Sequence, residues 1–169
     1  MRQVALLAAF AAAAYAQSSS VAADVKMTYQ QVKGYILKSA DKMPEEHYSF
    51  KPVPEVRSFG QLLGHIADAQ YAFCGSATGA KPEPRGIEKS KTTKAELTAA
   101  LKEAFAYCDE AYNQMTDANA GEAVKLFGRD RTRAGALAFN NAHDYEHYGN
   151  LVTYMRMKGL VPPSSEGRR

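Results

Sequence analysis

Apolar residues recur three or four positions apart in four separate stretches of this chain, each bounded by residues that stop a helix. In the first, Val25, Tyr29, Val32 and Ile36 fall on one side of a helix running roughly from Val21 to Lys42. Pro44, Pro52 and Pro54 follow. Proline lacks an N–H and restricts its predecessor, so these residues predict an extended connection from Glu45 to Val56. The second stretch opens at Ser58 with Gln61 three residues on, a pairing in which each side chain satisfies the other's backbone N–H at a helix start. It carries Leu62, Leu63, Ile66, Ala69 and Phe73. Gly75 and Gly79 are expected to end it, and the Pro-, Gly- and Lys-rich run to Lys91 reads as a surface connection. The third repeats the start signal with Thr93 and Glu96, then continues through Leu97, Leu101, Phe105 and Tyr112. A polar, glycine-containing segment from Thr116 to Arg131 leads to the fourth, from about Thr132 to Lys158. Here Leu137, Asn140, His143 or Asp144, His147, Leu151 and Met155 share one stripe, and Gly159 and Pro162-Pro163 stop the helix. There is no strand-like alternation of useful length and no internal repeat. The pattern predicts an all-α four-helix bundle.

The connection between the second and third helices bears on topology. At ~3.3 Å per extended residue, the stretch from Gly75 to Thr92 can cross the whole length of a bundle. Parallel neighbours are thus permitted, and up-down-down-up is as available as up-down-up-down. The two cysteines depend on that choice. In antiparallel helices Cys74 and Cys108 would lie more than ~20 Å apart at ~1.5 Å of rise per residue. In parallel helices both fall near one end, where an oxidising compartment would join them, a bridge contributing about 3–4 kcal/mol. The alternative is two separate buried thiols packed as small hydrophobes.

The first residues change the expected compartment. Met1-Arg2, the apolar run Val4 to Ala14 and the small residues of Ala14-Tyr15-Ala16 read as a secretory signal peptide over residues 1–16, cleaved after Ala16. The run is shorter than the ~20 residues that span a bilayer, so the mature product is expected to be exported and free of the membrane. Residues 17–169 then form a single domain, periplasmic or secreted. Loss of Arg2 lowers the formal net charge of +3 by one, close to neutral. The basic residues are scattered apart from Arg129, Arg131 and Arg133, which read as a solvated loop rather than an anion site, and no nucleic-acid partner is expected.

Among four histidines, His143 and His147 are four residues apart, and His65 lies inside the second helix. An i,i+4 pair points both imidazoles the same way, about 6 Å apart, which suits two ligands of one metal ion. A third imidazole from a neighbouring helix would complete the set and leave a position open for water or substrate. Spacing alone also fits ordinary polar residues on half-buried helices, and it does not choose between the two.

Several segments together resemble the DinB-like superfamily: Met43-Pro44-Glu45-Glu46-His47-Tyr48-Ser49-Phe50-Lys51-Pro52, the run from Ser58 to Asp68, and His143-x3-His147 leading into Asn150-Leu151-Val152-Thr153-Tyr154-Met155-Arg156 and Pro162-Pro163. The match covers about Lys26 to Ser164. The resemblance implies an up-down-down-up bundle and a divalent ion, zinc or nickel, held by His65, His143 and His147. It also implies a small-molecule substrate, with a small thiol as a candidate cosubstrate and a second copy of the chain as a candidate partner. His47 stays outside this set, in the proline-bracketed loop.

A divalent ion on three neutral imidazoles would acidify water or a small thiol near neutral pH, opening ester or amide hydrolysis or thiol transfer. Asp144 and Glu146 stand about 100° round the helix from their neighbouring ligands and are expected to face solvent. Asn140 and Asn150, three residues before and after the pair, are placed to orient a ligand or to satisfy each other or the backbone. No catalytic base is assigned. Export sharpens the question, because small thiols belong to the reducing cytosol. A non-catalytic exported bundle that binds a metal or small ligand is therefore the alternative to an enzyme.

Overall fold

A computed structural model of the chain describes residues 20–81 and 85–167. The signal-peptide reading of residues 1–16 lies outside them. Four long helices form the body: α1 (Val21–Lys42), α2 (Phe59–Thr78), α4 (Lys94–Gln114) and α5 (Arg133–Met157), with a one-turn helix α3 (Ile87–Ser90) between α2 and α4. Their starts follow local chemistry. Ser20, Ser58, Thr93 and Thr132 each accept a backbone N–H at the first turn, and Ser58/Gln61 and Thr93/Glu96 close reciprocal capping boxes. Among the described residues, no helix is long and apolar enough to cross a membrane.

Named contacts give the direction of every helix. Leu97 lies against Gly60 at the start of α2, and Cys108 is disulfide-bonded to Cys74 near its end, so α2 and α4 run parallel. The Cα atoms of the bridge are 5.3 Å apart. Asn141 bonds Val25 and the Tyr148 ring stacks on Tyr35, so α1 and α5 are also parallel. Contacts of Tyr29 with Phe105 and of Asp41 with Lys102 run in opposite order along α1 and α4, making that pair antiparallel. The same holds for α2 and α5, where His65 meets His147 and Phe73 meets Phe139. The bundle is up-down-down-up, and the crossover is what permits it.

The core lies between these helices. Tyr29, Val32, Ile36, Leu63, Ile66, Leu97, Leu101, Phe105, Tyr112, Leu137, Leu151 and Met155 are all buried, the stripes that the 3.6-residue period marks out. Beneath the histidines a buried polar network joins the helices. Gln70 donates to Asp144 (2.6 Å), Asn140 donates to Gln70 (3.0 Å) and to the Tyr112 hydroxyl (3.2 Å), and Asn141 donates to the Val25 carbonyl (2.9 Å).

Three expectations need correction. First, α2 passes through Gly75 and ends only at Gly79, whose φ is +77°. The connection that follows is more than a surface spacer, because α3 folds back against α2 with Ile87 buried.

Second, the polar segment after α4 contains a hairpin, β1 (Ala123–Leu126) paired antiparallel with β2 (Arg129–Thr132). Four-residue strands are too short to show a period. The turn is Phe127-Gly128 with both φ values positive, 48° and 77°, a geometry usually signalled by Asn-Gly or Asp-Gly. Arg129 and Arg131 are exposed on β2, and Arg133 pairs with Glu122 at 2.6 Å.

Third, Asp144 is fully buried rather than solvent-facing, because α5 packs between α1 and α2 and buries more than one stripe. Glu146 is exposed as expected.

Candidate metal centre

His65 sits in the second turn of α2 and faces His143 and His147, one turn apart on antiparallel α5. The packing of α2 on α5 therefore brings together residues 78 positions apart in sequence. Their Nε2 atoms converge: His143 Nε2 is 3.1 Å from His65 Nε2 and 3.0 Å from His147 Nε2. One ligand atom from each of the three lies within 4.8 Å of the other two. A tetrahedral ion with ~2.0–2.1 Å bonds to nitrogen would set such atoms about 3.3 Å apart, so the trio fits one first-row metal ion with adjustments of a few tenths of an ångström. Three facing lone pairs repel one another unless a proton or a cation lies among them. His47, in the turn Glu45–His47, stays outside the cluster, as the sequence indicated.

The far sides of the rings differ. His65 Nδ1 lies 3.3 Å from Glu88 Oε2 on α3. His147 Nδ1 lies 3.4 Å from the Asn150 side-chain amide, where turning the amide over would present its oxygen to a ring N–H. His143 Nδ1 is buried with no hydrogen-bond partner. Asn150 is thus beside the site, whereas Asn140 belongs to the network beneath it. Phe73 packs 5.4 Å from the His143 ring, and Phe127 and Phe139 lean on Phe73, walling that side with aromatic surface.

The local environment keeps the rings neutral. Burial, and then the neighbouring imidazole of His147, push His143 down to about 3, and burial followed by His65 pushes His147 down to about 4. His65 is lowered by burial and then by Arg57, with Glu88 opposing. Neutral imidazoles are the form that binds a metal. A consequence can be measured in metal-free protein. An unfolded histidine takes up a proton near pH 6.5, while in the fold His147 and His143 resist until about 4 and 3. Over that window the two histidine protons that the unfolded chain takes up outweigh the one that buried Asp144 holds in the fold, so stability falls as pH falls. We expect the melting temperature to drop steadily from pH 6.5 towards 4 and His143→Ala to flatten that slope. An equal slope in the variant would show that these rings do not set it.

Asp144 lies directly beneath. Burial pushes its carboxyl well above the usual carboxylate range, against the opposing hydrogen bond from Gln70. Its Oδ2 and the Asn140 Oδ1 are buried without partners, which favours a protonated, uncharged Asp144 that braces α2 against α5.

Beside His147 opens a cleft of about 600 Å³ whose lining includes Lys51, Arg57, Gln61, Glu146, Asn150 and Tyr154. The Tyr154 hydroxyl donates to the Arg57 carbonyl at 2.9 Å, pinning the proline-bracketed connection over the end of α5. Glu88 and Arg57 were not singled out from the sequence. Arg57 lies in an irregular connection and Glu88 on the one-turn helix α3, too short for a period to mark an inward face.

Comparison with known proteins agrees with this architecture. A profile of the DinB superfamily matches residues 28–151. The uncharacterized protein YjoA of Bacillus subtilis is 27% identical over 123 residues, 71% of this chain and 79% of YjoA. The crystal structure of YjoA superposes with a TM-score of 0.67, covering 82% of this chain and 93% of that one. A DinB-like protein from Bacillus cereus is 22% identical with a TM-score of 0.70, covering 82% and 93%. YfiT from Bacillus subtilis is 15% identical with a TM-score of 0.63, covering 82% and 88%; it is described as a probable metal-dependent hydrolase with an unusual four-helix bundle topology.

Proposed function

The chain belongs to the DinB superfamily, and on that premise we propose that it is an exported, metal-dependent hydrolase of small polar substrates, with His65, His143 and His147 as its ligand set. The observation that carries this reading is the convergence of three Nε2 atoms, 3.0 and 3.1 Å apart, at the edge of an open cleft. His65, His143 and His147 would hold a divalent zinc or nickel ion, which when bound would supply Lewis-acid chemistry for hydrolysis. The chain's own residues do the rest. Arg57 and Lys51 offer positive charge to a carboxylate or carbonyl oxygen of the substrate, and Gln61 and Asn150 offer amide hydrogen bonds within the same cleft. Phe73 and the aromatic residues against it keep water from the His143 side.

Export is supported by the signal-like first sixteen residues and by the Cys74–Cys108 disulfide, which persists in oxidising compartments. The same disulfide favours hydrolysis over thiol transfer, because small thiols are scarce where disulfides form. Thiol transfer is the second reading, supported by the family resemblance in sequence.

The two can be told apart with the mature protein loaded with zinc or nickel. One assay follows release of nitrophenol from simple aryl esters, and another follows conjugation of a small thiol to a dinitrophenyl halide. We expect ester turnover that falls to background with chelator and in His65→Ala. Conjugation without ester turnover would transfer the proposal to thiol chemistry. Full metal loading with neither activity would leave a binding bundle.

A further inference from the structure

The crossover between α2 and α4 brings a carboxylate to the far side of one proposed ligand. We propose that Glu88 is a positioning residue of the histidine site: its carboxylate accepts the Nδ1 proton of His65 and so holds that ring's Nε2 lone pair toward His143 and His147. The proposal rests on the three-histidine reading above.

Both carboxylate oxygens have a nitrogen within reach. Oε1 accepts from Arg57 Nε at 2.9 Å, and Oε2 lies 3.3 Å from His65 Nδ1. Arg57 thereby limits how Glu88 can turn, leaving one oxygen for the imidazole. The backbone that carries Glu88 is anchored as closely. The N–H groups of Ile87 and Glu88 donate to the two oxygens of Asp68 at 2.9 and 3.0 Å, and Ile87 is buried against the bundle. Gly64 makes room: a Cβ built there would lie 2.6 Å from the Glu88 Cα, so any other residue would push α3 away. Residues 64, 65 and 68 of α2 thus supply a slot, a proposed ligand and an anchor within little more than one turn. Such precise docking of a four-residue polar helix is hard to explain as a loop of arbitrary path. It is what a carboxylate–histidine pair requires, because a neutral imidazole can present its Nε2 lone pair only when its proton sits on Nδ1.

The test has two readouts, one of which needs no metal. In metal-free protein, 15N NMR of the imidazoles reports the tautomer of His65. Competition with a chromophoric chelator reports zinc affinity. Wild type is expected to hold His65 as the Nδ1–H tautomer. Glu88→Ala should shift it toward Nε2–H and weaken zinc binding by about 10- to 100-fold. Glu88→Gln keeps an acceptor oxygen and should restore the tautomer and part of the affinity.

Glu88 is partly exposed at the protein surface, so these variants are expected to fold, and the Gln variant guards against a general loss of structure. An unchanged His65 tautomer in Glu88→Ala overturns the proposal, and so does zinc affinity within about twofold of wild type. If wild type takes up no zinc but Glu88→Ala still switches the tautomer, the orienting role stands and the metal reading falls.

Discussion

His143→Ala is expected to keep the fold and lose the metal. His143 is the ring whose Nε2 approaches both of the others, at 3.1 and 3.0 Å, so its removal leaves the remaining pair on opposite helices without a shared third donor. Zinc at a hundred times its dissociation constant stabilises a protein by about 2.7 kcal/mol. For a chain of this size that is a rise in melting temperature of roughly 5–10 °C. Wild type should show this rise, reversibly with chelator, and His143→Ala should show none. The buried side of the ring carries an Nδ1 with no partner, so the alanine variant loses packing against Phe73 but breaks no hydrogen bond on that side. A full zinc-dependent rise in His143→Ala would remove this residue from the ligand set.

Breaking the disulfide should have the larger effect on stability. Cys74 and Cys108 are 34 residues apart in sequence, and closing a loop of that length removes about 4 kcal/mol of conformational entropy from the unfolded chain at 25 °C. Cys74→Ala/Cys108→Ala should therefore melt roughly 8–15 °C below the oxidised wild type. Reductant should lower the wild type similarly while leaving the double variant unmoved. A count of two free thiols in the denatured, unreduced protein would show that the bridge does not form.

The disulfide also illustrates how much of the fold could be read in advance. The first helix was expected at Val21 to Lys42 and is found there, because its apolar residues keep the helical period up to the break before Pro44. The two capping boxes are local chemistry, so Ser58/Gln61 and Thr93/Glu96 mark helix starts whatever packs around them. The cysteines added what periodicity lacks, a relation between helices: a bridge required α2 and α4 to be parallel, and the crossover length allowed it.

What escaped the sequence is tertiary. An offset of about 100° from a ligand marks a solvent-facing position only on a helix with one neighbour, whereas α5 packs against both α1 and α2 and buries Asp144. Its partner Gln70 is 74 residues away, and nothing local marks the pair. Glu88 sits in a Pro- and Gly-rich stretch that composition assigns to a loop, and its meaning comes from Gly64 and Asp68 on another element. The hairpin was missed because Phe127-Gly128 fills a turn normally written with asparagine or aspartate, in strands of four residues. The three histidines were nameable because two share a helix face at a ligand spacing and the third lies in a segment shared with the family. Their convergence through Nε2, and the neutral state that burial imposes on them, required the packing of α2 against α5.

The central claim is that this packing makes a metal site. It is tested most directly by elemental analysis of the protein, purified without a metal-affinity tag, offered zinc or nickel and passed through gel filtration. The account predicts about one equivalent of metal per chain, retained by wild type and lost from His65→Ala and from His143→Ala. Wild type that retains no metal, or a His65→Ala/His143→Ala double variant that retains a full equivalent, would contradict it.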